Sequence, residues 1–263
     1  MEARSSYRQR EILDALRQAG GAMRITALAE ALDVTNETVR RNLHALVDGG
    51  MVEKTHGGAQ LVRAEADPEV EGNFRQRFEE NTAAKRMIAR HVAAMIPNDA
   101  SLFLDIGSTT AHIADALRNH QRLLVVTNSV YVAYRLAMRN ENRVFMAGGA
   151  LRSHDGGAFG SDAMDFASNF NTEYAILSSA GITAPEGFTL FDLEEARFSR
   201  LVMAHAAQRI VAADSSKFGR EAPIVIGDPA QVDFLVCEAE PPEDIRHAAR
   251  AWGTEIRIAR GAA

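Results

Sequence analysis

A chain of 263 residues, 46% hydrophobic and 24% charged, can fill one large or two modest cores. It has no uninterrupted apolar run near the ~20 residues that span a bilayer, no apolar stretch in Met1–Arg10 of the kind that directs secretion, and a single cysteine, which excludes an internal disulfide; the expected location is the cytoplasm. The net charge of −6 argues against nucleic acid wrapping the whole surface, but residues 1–63 sum to +1 and the remainder to −7, so the near-neutral N-terminal part can still bind nucleic acid if its cations share one face.

Tyr7 to Ala19 reads as a helix with Ile12, Leu13 and Leu16 on one face, ended by Gly20-Gly21. Ile25, Leu28, Ala29 and Leu32 then recur at helical spacing. After the break Asp33-Val34-Thr35 a third helix starts at Asn36, with Val39, Leu43, Leu46 and Val47 as its apolar stripe and Gly49-Gly50 as its close. Two short helices joined by a three-residue turn are a helix-turn-helix. Packing through Ala29 and Val34 leaves Thr35, Asn36, Thr38, Arg40 and Arg41 on the outer face of the third helix. Arg can fork onto guanine and Asn onto adenine in a major groove, while Thr35 and Thr38 suit a phosphate contact or a helix cap. Met51 to Val62 reads as strand, Gly-Gly turn and strand, a wing with Lys54 and His56 at its tip. The fold class expected is therefore an N-terminal winged helix-turn-helix, residues 1–63, followed by an α/β domain.

Residues 64–73 are acidic, hold Pro and Gly, and read as a connector. From residue 74 a long helical pattern runs from Phe74 to Ile96, closed by Pro97-Asn-Asp. Apolar strands are expected at 101–106, 123–127, 143–147, 174–178, 209–213, 234–237 and 255–259, with helices at 110–118, 130–139, 193–207 and 242–252. Continuous apolar strands alternating with helices indicate a mostly parallel sheet covered on both faces. Cys237, inside Val232-Asp-Phe-Leu-Val-Cys, is read as a buried strand residue.

Ligands of such sheets gather at the carboxyl ends of the strands, and small polar residues concentrate there. Leu104-Asp-Ile-Gly-Ser-Thr-Thr joins a strand to a helix: Gly107 allows close approach, and Ser108, Thr109 and Thr110 offer hydroxyls beside helix N–H groups, with Asp105 next to them. A phosphate fits that combination, and so does a plain N-cap. Asn128 follows the second strand, and Gly149 and Arg152 the third. Asp192 and Glu195 stand near a helix start, and Lys217 follows a later strand. Carboxylates accept from sugar hydroxyls while Lys and Arg meet phosphate, so these residues together describe a site for a phosphorylated sugar or polyol. The eight histidines show no zinc-ligand spacing, and neither a metal nor a cofactor is expected.

Thr35-Asn-Glu-Thr-Val-Arg-Arg-Asn-Leu followed by His56-Gly-Gly-Ala resembles the DeoR family of bacterial regulators. Members usually carry Asp after the paired arginines, where this chain has Asn42; the swap removes a charge from the DNA-facing helix. The later segments are similar to that family's effector domain, itself like ribose-5-phosphate isomerase. Gly107-Ser-Thr-Thr-Ala-His resembles the isomerase phosphate loop and Asp214-Ser-Ser-Lys its lysine motif. Ala147-Gly-Gly through Arg152, Asp155 and Gly156-Gly157, with Phe191-Asp and Ser216-Lys-Phe-Gly-Arg, looks most like the glycerol-3-phosphate-responsive branch. The resemblance implies a repressor that binds double-stranded operator DNA as a dimer or tetramer and answers to a phosphorylated effector. Two other readings stand beside it: a sugar-phosphate isomerase with a DNA-binding appendage, and a module whose N-terminal helices bind a protein.

Overall fold

The computed structural model describes residues 7–19, 22–48, 52–55, 57–61 and 74–260. Gly20-Gly21, Gly49-Gly50, His56 and the connector 64–73 lie outside the described residues. The chain divides into two compact units, Met1–Val70 and Glu71–Ala263. Among the described residues no helix is long and apolar enough to cross a membrane.

The first unit contains α1 (Tyr7–Gln18), β1 (Ala22–Arg24), α2 (Ile25–Ala31), α3 (Asn36–Asp48), β2 (Val52–Thr55) and β3 (Gly58–Leu61). The three helices close over Ile12, Leu16, Leu28, Val39, Leu43 and Leu46, the apolar stripes expected from the spacing, with Val52 and Ala59 of the hairpin added. The wing is a three-stranded antiparallel sheet in the order β1-β3-β2. Strand β1 was not expected from sequence: three residues, of which only Arg24 is polar, carry no period that marks them as a strand. Its pairing of Met23 with Ala59 supplies the pattern instead.

The second unit opens with α4 (Phe74–Glu79) and α5 (Thr82–Met95), where sequence periodicity indicates one helix. The break falls at Asn81, whose φ of 49° lies in the left-handed region that Asn tolerates. Then follow β4 (Ser101–Leu104), α6 (Ser108–Ala116), β5 (Leu124–Thr127), α7 (Val130–Leu136), β6 (Arg143–Met146), α8 (Ser161–Ala167) and β7 (Thr172–Leu177). After β8 (Gly181–Thr183), β9 (Gly187–Leu190) and α9 (Leu193–Ala204) come β10 (Ala206–Ala212), β11 (Ile224–Val225), β12 (Phe234–Cys237), α10 (Glu243–Trp252) and β13 (Glu255–Ile258).

Seven strands form one parallel sheet in the order β13-β12-β10-β7-β4-β5-β6. Both faces are buried. Phe103, Val126, Ala175, Leu177, Val211 and Leu235 pack on one side with α8 and α9. Leu102, Leu104, Val125, Ile176, Ile210 and Val236 pack on the other with α5, α6 and α7. Cys237 is fully buried in β12, and burial pushes its thiol up to about 12. The mostly parallel sheet read from sequence is present, with a second sheet that was not read: a small antiparallel one in the order β11-β9-β8. Its strands have two to four residues, too few for a period to declare itself.

The order of growth matters for function. From β4 the chain adds β5 and β6 on one side, then returns to place β7 against the other side of β4. In open parallel sheets a crevice forms at such a reversal, outside the carboxyl ends of the two central strands.

Leu46 is fully buried beneath α3. Leu46→Ala should cost the first unit ~2–5 kcal/mol through lost burial and a residual cavity. Amide hydrogen exchange should show lost protection across residues 7–61 while residues 101–258 keep theirs; unchanged protection in α1 and α2 would contradict the packing.

Candidate functional site

In the first unit α3 presents the polar face expected of it. Thr35, Asn36, Arg40 and Arg41 are exposed and Thr38 is half-buried. Thr35 caps the helix, its Oγ1 accepting from the Thr38 N–H at 3.3 Å, which satisfies one of the N–H groups a helix start leaves open. Arg40 lies 3.8 Å from Glu37 with both side chains in solvent, a contact worth little that DNA can displace. Asn42 turns back on its own helix and donates to the Thr38 carbonyl at 2.8 Å. Lys54 sits one pair in from the end of the wing, opposite Ala59, and its Nζ is 3.1 Å from His44 Nε2 of α3. His44 is exposed and was not singled out by sequence; its place becomes visible only when the wing folds against α3.

In the second unit the cleft opens where β4 and β7 end. Ile106, Ser108 and Thr109 after β4, Ser178 and Ser179 after β7, Asp155, Leu190, Glu195, Lys217 and Arg77 line it. The two central loops are tied directly. The Ser178 N–H donates to Asp105 Oδ2 at 3.0 Å, and Ser178 Oγ donates to the Ile106 carbonyl at 3.3 Å. Gly107 is needed for this closeness, because a Cβ there would stand 2.3 Å from Ser178 Oγ. The first bond inside α6 runs from Ala111 N–H to the Gly107 carbonyl, so the N–H groups of Ser108, Thr109 and Thr110 have no partner within the helix. They lie at the positive end of its dipole, beside the cleft.

Of the residues singled out from sequence, Ser108, Thr109, Glu195 and Lys217 line the cleft. Asp105, Gly107 and Thr110 support its floor instead: Thr110 Oγ1 donates to the Gly107 carbonyl at 3.0 Å. Asn128 is 1% exposed, and neither atom of its side-chain amide has a hydrogen-bond partner. Gly149 is exposed at a φ of 117° and is not part of the lining. Arg152 also stays off the lining. Its guanidinium meets Asp155, Asp192 at 3.2 Å and Glu195, and lies 4.0 Å from the centroid of the Phe159 ring. Asp192 additionally caps α9 by accepting from the Glu195 N–H at 2.9 Å. Three carboxylates around one cation leave the Arg152 cluster itself net negative.

Lys217 ends a 3-10 turn over Ser215–Lys217, capped by Asp214, whose Oδ1 accepts from the Ser216 N–H at 3.2 Å. Among the histidines, His112 packs rather than ligates: 4% exposed, it stacks on Phe78. His154 is exposed and lies 3.5 Å from Asp155. Residues that sequence reasoning missed are Arg77, Ser178 and Ser179, while Asp155 was named only within the family resemblance and not as a site residue. The serine pair carried a usable signal, small polar residues directly after an apolar strand. Arg77 carried none.

Asp105 is buried, and that burial pushes its carboxyl well above the usual carboxylate range; the charge of Glu195 adds to this, against the Ser178 N–H. A carboxyl whose folded pKa is raised gives stability in full below the unfolded value and loses it as pH rises towards the folded one. Asp105→Asn keeps an acceptor for Ser178 without the charge. It should melt higher than wild type at neutral pH, with the gap closing as pH falls to about 4; a gap independent of pH would show that Asp105 does not titrate in this way.

Residues 8–65 match the DeoR-like helix-turn-helix domain and residues 80–239 the DeoR C terminal sensor domain. The glycerol-3-phosphate regulon repressor of Escherichia coli (strain K12) is 35% identical over 242 residues, 92% of this chain and 94% of that one. The HTH-type transcriptional repressor CsqR of the same organism is 37% identical over 238 residues, 90% of this chain and 89% of its own. Among solved structures, ribose 5-phosphate isomerase A from Methanocaldococcus jannaschii covers 54% of this chain and 56% of its own at a TM-score of 0.40 and 16% identity, a likeness too slight to carry weight. With both halves matched and relatives of this identity running along nearly its full length, the chain belongs to the DeoR family of transcriptional regulators.

Proposed function

We propose that this regulator is a repressor, not an enzyme, that binds double-stranded operator DNA through α3 and leaves it when the cleft takes up a phosphorylated sugar or polyol. In this reading residues 1–63 bind DNA, 64–73 connect, and 74–263 sense the effector. The observation that carries it is that one cleft is lined by two kinds of group. One set is the start of α6 with Lys217; the other is Glu195 and Asp155, joined through Arg152. The first set suits a phosphate, through N–H groups, hydroxyls and a cation. The second suits hydroxyl groups, which donate to carboxylates. Arg152, bracketed by carboxylates, orients them and leaves the phosphate to Lys217.

Glycerol 3-phosphate is the first candidate, since three of the relatives carry it in their names. The chain works as a dimer or tetramer in this reading, so that two α3 helices meet repeated half-sites. The isomerase alternative gains little support, because Glu195, its candidate base, is bonded to Arg152. The effector acts only through unequal affinity for the bound and released arrangements, typically 1–3 kcal/mol of coupling.

The test is a gel-shift titration on the DNA upstream of the gene, with a panel of phosphate esters and their unphosphorylated parents. Specific binding relieved by one ester and not by its parent is the expected result; binding that no ester relieves would remove the cleft from the account. Arg41→Ala should weaken DNA binding roughly 5–150-fold and leave effector affinity unchanged. Lys217→Ala should leave DNA affinity intact and abolish release. Wild-type DNA affinity in the Arg41 variant would sink the docking of α3.

A further inference from the structure

Helix α4 is six residues long and is the first described element beyond residues 62–73, which lead from the DNA-binding unit. Arg77 on this helix lines the cleft together with Ser108, Thr109 and Lys217. Both α6 and the turn that carries Lys217 are tied to α4 or to Asn81 just beyond its end. On the α6 side, the Phe78 ring stacks on His112 with centroids 4.2 Å apart and planes 8° from parallel. His112 Nε2 donates to the Phe78 carbonyl at 3.1 Å. Burial, with help from Lys85 and Arg86, holds the imidazole below its ordinary pKa. Tyr131 of α7 closes the cluster, 5.4 Å from Phe78 and 6.0 Å from Phe74.

On the Lys217 side, the buried Lys85 Nζ donates to the carbonyls of Arg77 and Glu80 and so caps the end of α4. Asn81, in its left-handed conformation, donates to Asp214 Oδ1 at 3.0 Å. The same oxygen accepts from the Ser216 N–H in the turn that carries Lys217. Burial lowers Lys85 to about 8, and Lys217 and Arg77 push it the same way against Asp214. Three cations therefore lie close together around the end of α4.

We propose that Arg77 is a second cationic ligand of the effector's phosphate and that α4 carries the state of the cleft into the chain segment leading to the DNA-binding unit. This rests on the reading of the cleft as a phosphate-ester site. A phosphate dianion met by Lys217 and the start of α6 leaves charge for a further cation, and a guanidinium is the side chain best shaped for it. Its arrival offsets the repulsion among Arg77, Lys217 and Lys85. Because α4 is bonded to α6 through Phe78 and, by way of Asn81 just beyond its end, to the turn that carries Lys217, any closing of those elements moves the start of the sensing unit. The six-residue helix is too short to hold its shape alone and follows its neighbours.

Amide hydrogen exchange of the full-length protein, with and without inorganic phosphate and in a second series glycerol 3-phosphate, tests this. The expected result is slower exchange both at residues 107–111 and at residues 74–82. Arg77→Gln should bind roughly tenfold more weakly, keep the protection at 107–111 once saturated and lose it at 74–82. Arg77→Lys should recover part of the affinity. Phe78→Ala, outside the anion contacts, should bind the ester within about threefold of wild type and fail to leave DNA. Protection at 107–111 with residues 74–82 unchanged, or wild-type affinity in Arg77→Gln, overturns the role of α4 and leaves the phosphate site standing. Absence of protection at 107–111 with either probe overturns the site, and the proposal with it.

Discussion

The hydrogen bond from the Ser178 N–H to the Asp105 carboxyl joins the two loops on which the sensing unit depends. Strands β4 and β7 are neighbours in the sheet but far apart in the chain, and the order of growth reverses between them. At such a place the loops diverge unless something ties them. Here the tie is backbone to side chain, reinforced by Ser178 Oγ on the Ile106 carbonyl and made possible by the missing side chain at Gly107. The result places the open N–H groups of α6 beside the serines after β7. A buried carboxyl is an expensive tie. Burial and Glu195 favour its neutral form, which limits the negative charge next to the start of α6.

The fold assigns the cations near the cleft differently from what residue types suggest. Arg152 looks like a phosphate ligand in sequence because a glycine-rich loop carries it past a strand end. In the fold it gathers Asp155, Asp192 and Glu195, with Phe159 beneath. An arginine held by three carboxylates and an aromatic face has its donors largely committed, so its effect is to orient acceptors. The cations that line the cleft are Lys217, positioned by the Asp214 cap, and Arg77 on α4.

The two units answer to different constraints. The first is small, and its three helices and wing share one core of about ten side chains; its recognition face is whatever polar surface that core leaves outside. The second is a two-sided parallel sheet covered by helices on both faces. Helix α6 starts at the reversal, and α4, with Asn81 beyond its end, is tied both to α6 and to the turn that carries Lys217.

How much of this could be read from the chain depends on how far apart the determining residues lie. Helical stripes in α1, α2 and α3, the seven apolar strands and the Ser-Thr-Thr turn are set by neighbours within one or two turns or pleats, so their period is visible without a structure. The same locality makes the resemblance at Thr35–Leu43 legible. The short strands β1, β8, β9 and β11 were not legible, because their length is below any period and their partners come from elsewhere. The break at Asn81 was hidden for a related reason. Its side chain bonds to Asp214, 133 positions on, and a left-handed Asn inside a helical pattern has no cause nearby. Arg152 and Glu195 are 43 positions apart, and Phe78 and His112 are 34. The sequence by itself determined the family, the order of the seven strands of the main sheet and the kinds of chemistry at the strand ends, since all three follow from short-range pattern. Only the tertiary structure decided which cation faces the cleft and which is neutralised, and that Arg77 belongs there, because charges sum over distances in space and the chain does not record those.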